Sequence, residues 1–374
     1  MNRILIRLMR KGFFFLNYGR LVEISSKLNL PLASPFLASV QITLRCNSRC
    51  SYCNIWRLSN EKQVSSDITQ TDDLDRIFRS LRKLEVGGVS LTGGEPLTRD
   101  DLGAVVRLAT DNGLWADICT NGISLTKDRA LELAEAGAKC IILSLDTLDP
   151  EVYQKHRGVP FRFAERALEA LSYVLNEHPS THCNINCVVT RYNVGQLVAF
   201  VERISKHGEG QILVNLQPYH RPPSFTEISR GLNMEMKERL WAAYQSTSYD
   251  ALMPNYRLKA VFEKEVKELI TLKRKGSPVA NSESYLQRMP DFLFDNRLPP
   301  HFKCLAGYTG IVIRYDLKVL PCWRLPPIGD LRKEDLSSIW FSKRYAEQRK
   351  KMENMKCQGC MLVCHNEPNL YESQ

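Results

Sequence analysis

The chain has 374 residues, 44% hydrophobic and 25% charged, with a formal net charge of +10. That mix is globular, which excludes a disordered or low-complexity chain, and no run of about 20 apolar residues provides a transmembrane helix. Twelve cysteines would suggest disulfides in a secreted protein, but the N-terminal apolar stretch is short and broken by Arg and Lys, so the thiols read as metal ligands in a reducing cytoplasm.

The first 36 residues form a basic segment. Arg3, Arg7, Arg10, Lys11, Arg20 and Lys27 face only Glu23, with Ile4, Leu5, Leu8 and Phe13 to Leu16 interleaved. An amphipathic helix of this kind either caps one end of the fold, the preferred reading, or makes a peripheral membrane contact. The positive charge would also suit an anionic substrate, but no RNA-binding motif accompanies it, which argues against nucleic acid.

From residue 37 onward, apolar runs alternate with amphipathic stretches. Strands are expected at 40–44, 88–92, 116–120, 140–145, 183–189 and 212–216. Helices are expected between them at 72–83, 101–112, 127–136, 164–175 and 194–206. Six βα repeats with connections too long for hairpins imply an α/β fold with a parallel sheet and right-handed crossovers, either barrel-like or open and doubly wound. The pattern breaks at 218–223, and helices follow at 233–245 and 258–275. Beyond Pro299-Pro300 comes a cysteine-rich segment with a hairpin around Asp316-Leu317 and a helix at 335–350. The expected division is a core at 37–225, a helical connector at 226–300 and a small α+β module at 301–374.

The chemistry-bearing residues fall at the C-terminal ends of the predicted strands, where a barrel carries its active site. Cys46, Cys50 and Cys53 form a C-x₃-C-x₂-C run after the first strand. Gly93-Gly94-Glu95-Pro96 follows the second, Asn121-Gly122 the third, and Asp146 the fourth. Three thiolates can bind three irons of a [4Fe–4S] cluster and leave the fourth iron open. Zinc or plain burial is the alternative for three cysteines, but zinc sites usually present paired C-x₂-C units or Cys/His sets, and the nearest histidine, His156, lies well beyond the run.

These residues resemble the signature of the radical SAM superfamily. The resemblance implies a partial (β/α)₆ TIM-type barrel, with S-adenosylmethionine on the open iron through its amino and carboxylate groups. It implies that Tyr52 stacks on adenine and that Gly93, Gly94 and Glu95 hold the methionyl amino group, with Asn121 near the same pole. Ser144 and Asp146 resemble positions that contact the ribose or the carboxylate. Arg157 is a candidate bidentate partner of that carboxylate. Ordinary loop polarity is the competing reading of Ser144 and Arg157.

In the C-terminal segment the order is Cys304, hairpin, Cys322, helix, Cys357-x₂-Cys360, then Cys364. This resembles the twitch subdomain, a shortened relative of the SPASM domain, which binds an auxiliary [4Fe–4S] cluster. Five cysteines imply one cluster, on Cys304, Cys322, Cys357 and Cys360. Cys364 is then a spare or a replacement, and a zinc ribbon is the alternative. Cys119, Cys140, Cys183 and Cys187 fall inside strands and read as core.

The resemblance implies an enzyme that takes an electron from a reductant such as flavodoxin or ferredoxin, cleaves S-adenosylmethionine to a 5′-deoxyadenosyl radical and abstracts hydrogen from a substrate. The leading expectation is a net oxidation or dehydrogenation of a small molecule, assisted by the auxiliary cluster. The alternative is a peptide or protein maturase, against which the first ~35 residues look too short for a leader-binding domain. The non-enzymatic alternative is an iron–sulfur or zinc scaffold.

Overall fold

A computed structural model describes residues 18–53, 55–58, 70–220, 252–299, 302–354 and 360–362. Its strands are β1 (Leu37–Thr43), β2 (Gly88–Gly93), β3 (Trp115–Thr120), β4 (Ala138–Ser144), β5 (His182–Val189), β6 (Leu213–Pro218), β7 (Gly310–Ile313), β8 (Lys318–Leu320) and β9 (Gly329–Asp330). Its principal helices are α1 (Tyr18–Leu28), α2 (Thr71–Lys83), α3 (Leu102–Asp111), α4 (Lys127–Glu135), α5 (Pro150–Arg157), α6 (Arg162–Glu177), α7 (Leu197–Ile204), α8 (Lys259–Arg274), α9 (Glu283–Asp295), α10 (Leu336–Trp340) and α11 (Lys343–Glu353).

Among the described residues the strands form one sheet in the order β6-β5-β4-β3-β2-β1-β7-β8-β9. Every pairing from β6 to β7 is parallel, and β7-β8-β9 is an antiparallel meander. The order is linear, so the sheet does not close.

The two faces of the strands decide between a barrel and a doubly wound sheet. Val40, Ile42, Leu91, Ile118, Ile141, Leu143, Ile185, Val214 and Leu216 are buried in one core with Leu74, Ile77, Phe78 and Leu81 of α2, Leu102 and Val105 of α3, and Leu168 and Leu171 of α6. The alternate positions share the other face in register: Ser39 beside Ser90, Gln41 beside Thr92, Ser90 beside Asp117, Ser144 beside Asn186, Asn186 beside Asn215. A doubly wound sheet needs helices, and hence apolar residues, on both faces. Here one face is mainly polar, with Cys119, Ile142, Val188 and Val312 among its apolar positions, so it is the lumen of a partial barrel.

The helices follow their periodicity. In α2, Leu74, Ile77, Phe78 and Leu81 all lie on the buried stripe. Fully burying each contributes roughly 1.5–3 kcal/mol, and truncating Leu81 to Ala should cost about 2–5 kcal/mol.

Some elements differ from expectation. The helix expected at 335–350 is two helices, because Ser342 caps α11 by accepting the Tyr345 N–H. Two helices, α5 and α9, carry Pro150 and Pro290 and do not stand out from periodicity. The helix expected at 233–245 lies outside the described residues. So does the segment 1–17; the described part, α1, buries Val22 against Ala33, Leu305 and Tyr308. No helix among the described residues is long and apolar enough to cross a membrane.

The C-terminal module is hydrogen-bonded into the barrel sheet. β7 pairs with β1 from Leu37↔Gly310 to Val40↔Ile313. The strand that delivers the first cysteine run is therefore the neighbour of the strand that follows Cys304.

Candidate active site

β1 ends at Thr43 and releases the loop that carries Cys46, Cys50 and Cys53, all three free thiols. The loop is stapled to the end of α5. The Arg49 N–H donates to the Arg157 carbonyl at 3.1 Å, the Ser51 N–H to the His156 carbonyl at 2.9 Å, and the Ser48 hydroxyl to the Arg157 carbonyl at 2.8 Å. The Asn121 Nδ2 donates to Asn47 Oδ1 at 2.9 Å and lies 4.0 Å from Cys46 Sγ.

Burial pushes the Cys46 thiol up to about 11 and Cys53 to about 12, and the closeness of the Cys50 sulfur acts in the same direction. Thiols crowded in such a place are costly to ionise unless a cation joins them, and a coordinating metal deprotonates a thiol outright. Three thiolates on one loop suit a cluster that takes one thiolate per iron, whereas a structural zinc site needs a fourth ligand.

The Gly-Gly-Glu turn leans on this loop. The Gly94 N–H donates to the Thr43 carbonyl at 2.8 Å, and the Glu95 N–H to the Arg45 carbonyl at 2.7 Å. Gly93 has φ +144°, and a Cβ there would lie 2.1 Å from the Thr43 oxygen. A Cβ on Gly94 would lie 2.2 Å from the Arg45 oxygen. Only glycine permits that approach of two backbones.

Glu95 is buried, and its carboxylate faces inward. Oε1 accepts the Thr120 hydroxyl at 2.7 Å and the Leu97 N–H at 3.0 Å, and Oε2 accepts the Asn121 N–H at 2.6 Å. Burial raises its pKa to about 7 despite these donors. The side chain thus joins the ends of β2 and β3.

Tyr52, Asp146 and Arg157 meet at one point. Asp146 Oδ2 accepts the Tyr52 hydroxyl at 2.9 Å and an Arg157 terminal N–H at 2.6 Å, while Oδ1 accepts the Val188 N–H at 2.8 Å. The other Arg157 terminal nitrogen lies 3.8 Å from Cys50 Sγ, and the guanidinium carbon sits 5.5 Å from the centre of the Tyr52 ring. Nε is buried without a hydrogen-bond partner. Arg157 is no loop residue: it ends α5, which Asp149 caps at its start and left-handed Gly158 at its end. Ser144 lies at the end of β4 on the lumen face, beside Asn186.

Sequence reasoning missed several supports. Asn193 Nδ2 donates to the carbonyls of Asp146 and Val188, each at 2.9 Å, and holds the Asp146 turn. His156 is buried against Tyr192, with ring centres 4.6 Å apart, and burial lowers its pKa, keeping it neutral. A polar residue in the turn that follows β5, after Thr190, Arg191 and Tyr192, was the available signal for Asn193; His156 gives none.

In the C-terminal module Cys304 and Cys322 share one cluster of side chains with Ala306 and Met352. Cys360 is positioned through its neighbour: the Met361 N–H donates to His220 Nε2 at 2.7 Å, and the Met361 carbonyl accepts the Tyr285 hydroxyl. Cys357 and Cys364 lie outside the described residues. Cys140, Cys183 and Cys187 are buried, and Cys119 is half-buried beside Ser90.

The comparisons with known proteins agree with this geometry. The radical SAM superfamily profile matches residues 40–204, and the SPASM iron–sulfur cluster-binding domain matches 304–361. The mycofactocin maturase MftC of Mycolicibacterium smegmatis is 32% identical over 51% of this chain and 47% of its own length. The chain thus spans about half of that relative. The AdoMet-dependent heme synthase of Methanosarcina barkeri is 24% identical over 87% of this chain and 91% of its own. The PqqA peptide cyclase of Rhizobium meliloti is 25% identical over 83% and 75%. SuiB of Streptococcus suis, solved with its precursor peptide SuiA, superposes with a TM-score of 0.62 over 93% of this chain and 74% of its own at 21% identity, a likeness of fold. The two matched domains bring a [4Fe–4S] cluster with S-adenosylmethionine and an auxiliary cluster as cofactors. With its cysteine loop at the end of β1, its glycine turn at the end of β2 and its cysteine-bearing extension of the same sheet, the chain belongs to the radical SAM superfamily and carries a C-terminal SPASM domain.

Proposed function

We propose that this protein is a radical SAM maturase that modifies a peptide, with a core at 37–225, a connector at 226–300 and an auxiliary module at 301–374. The observation that carries the chemistry is the placement of three free cysteines on a loop stapled to α5 and abutting the Gly-Gly-Glu turn. When bound, the core cluster and S-adenosylmethionine supply a 5′-deoxyadenosyl radical that takes hydrogen from the substrate, and the auxiliary cluster supplies a site for the second electron of a net oxidation. Electrons would come from a low-potential protein such as flavodoxin or ferredoxin.

Each residue then has a task. Cys46, Cys50 and Cys53 hold the core cluster. Gly93 and Gly94 expose backbone to the cofactor, and Glu95 fixes that backbone to β3. Asn121 orients Asn47 beside Cys46. Ser144 offers a hydroxyl on the lumen side, and Tyr52 offers a ring held in place by Asp146. Cys304, Cys322, Cys357 and Cys360 hold the auxiliary cluster, with Cys364 in reserve.

The lumen supports a peptide. Asn184, Asn186, Asn215 and Gln217 line its β5–β6 wall, since Asn186 pairs with Asn215 and Gln217 with Val188. Amides along this wall can pair with a peptide backbone, and the PqqA peptide cyclase is among the relatives. A small-molecule oxidation is the second reading, favoured by the near full-length match to the heme synthase.

The test uses reconstituted protein with a reductant, S-adenosylmethionine and a peptide-sized fraction of a cell extract. 5′-Deoxyadenosine formed above background should vanish when the fraction is first digested with protease. Stimulation that survives digestion would favour the small molecule. No cleavage in any arm would sink the enzyme reading.

A further inference from the structure

We propose that Arg157 sets the electron affinity of the cluster held by Cys46, Cys50 and Cys53, through a charged N–H···S contact to Cys50 that Asp146 attenuates. This rests on the assignment of those cysteines to the core cluster. Reduction adds one negative charge to the cluster, and hydrogen bonds to its sulfurs are among the factors that set its potential. Cys50 receives two such approaches, from the Arg157 terminal nitrogen at 3.8 Å and from the Ser48 hydroxyl at 3.1 Å. Only the first carries charge.

The contact is built into the fold. Arg157 and Asp146 have side chains 6% and 2% exposed and are paired at 2.6 Å. Water cannot screen them as it screens a surface pair. The three hydrogen bonds from Ser48, Arg49 and Ser51 to the end of α5 hold the loop and the arginine in one frame. Gly158 completes that frame, since a Cβ there would come within 3.0 Å of Arg49 Cβ. Asp146 accepts from Tyr52, Val188 and Arg157 together, so its carboxylate is pinned against the guanidinium. A cation beside the sulfur favours the reduced cluster, and an anion beside the cation opposes it. Removing one member should therefore move the potential opposite to removing the other.

The experiment is a potentiometric titration of the reconstituted protein without S-adenosylmethionine, followed by electron paramagnetic resonance. Arg157→Met should make the core cluster at least tenfold harder to reduce, about 59 mV for a one-electron couple. Asp146→Asn should make it easier to reduce, and the auxiliary cluster should stay unmoved in both. Two unmoved potentials, or two shifts of the same sign, overturn the proposal. If Arg157→Met does not take up iron, Asp146→Asn decides alone: an upward shift supports the proposal, and a null or downward shift overturns it. The combined replacement of Cys46, Cys50 and Cys53 by Ala tests the underlying assignment separately. If that variant keeps the titrated signal, the cluster lies elsewhere and the cysteine assignment, not the arginine's role, has failed.

Discussion

The backbone N–H of Asn121 donates to the carboxylate of Glu95 at 2.6 Å, although 26 residues separate them. One buried side chain thereby ties the turn after β2 to the turn after β3, and with them Asn47 and the cysteine loop.

Glu95→Gln should break this tie. A glutamine presents an NH₂ where Oε2 stood, opposite another donor, and a buried N–H left unpaired costs roughly 1–3 kcal/mol. The pH profile should change as well. Burial raises the carboxyl from 4.5 to about 7, so its stabilising contribution is full below 4.5 and is lost as pH rises through 7. Thermal midpoints of the cluster-free protein across that window should fall with pH in the wild type and flatten in the variant. An equal slope in both would assign the titration to another group.

Gly94→Ala should displace the cysteine loop. Its Cβ would lie 2.2 Å from the Arg45 oxygen and 2.5 Å from the Leu44 oxygen, so backbone must shift. Core iron uptake should drop several-fold while α-helical circular dichroism is retained. Gly276→Ala is the control: φ is +89° with nothing within 4 Å, so it should cost about 1–2 kcal/mol of backbone strain and leave iron content unchanged.

His220→Ala should loosen Cys360. His220 accepts the Met361 N–H as a neutral ring, and burial holds its pKa down at about 3, with the Arg324 charge pushing the same way. A depressed base stabilises the fold above its ordinary value of 6.5 and loses that contribution as pH falls toward 3. Auxiliary iron should fall in the variant at neutral pH while core iron persists. Equal loss of both would mean that His220 supports the whole fold rather than the module.

Fully reconstituted protein should hold about eight irons, two Cys₄-type clusters' worth. Cys304→Ala should keep about four and still form 5′-deoxyadenosine, but yield little oxidised product. About four irons with one zinc in the wild type would make the module a structural zinc site. Product at the normal rate from the variant would make the auxiliary cluster dispensable for the oxidation.

The sequence by itself determined what depends on neighbours along the chain. The alternation of strand residues, the helical stripe of Leu74, Ile77, Phe78 and Leu81, and the spacing of Cys46, Cys50 and Cys53 are local patterns. They suffice for the repeat order and the cluster motif. The glycines of the Gly-Gly-Glu turn are legible as a motif, but their reason, contact with the Thr43 and Arg45 carbonyls, lies across the sheet. Tertiary structure alone decided that the polar positions of successive strands fall in register on one face, which made the sheet a partial barrel. It alone brought Tyr52 to Asp146 over 94 residues and Met361 to His220 over 141. It also turned Arg157 toward Cys50, by ending a helix that Pro150 and the short length of α5 conceal. These contacts join residues whose local chemistry is ordinary. What selects them is the burial of charged and polar groups that must find partners once water is gone, and that requirement exists only after the strands have paired.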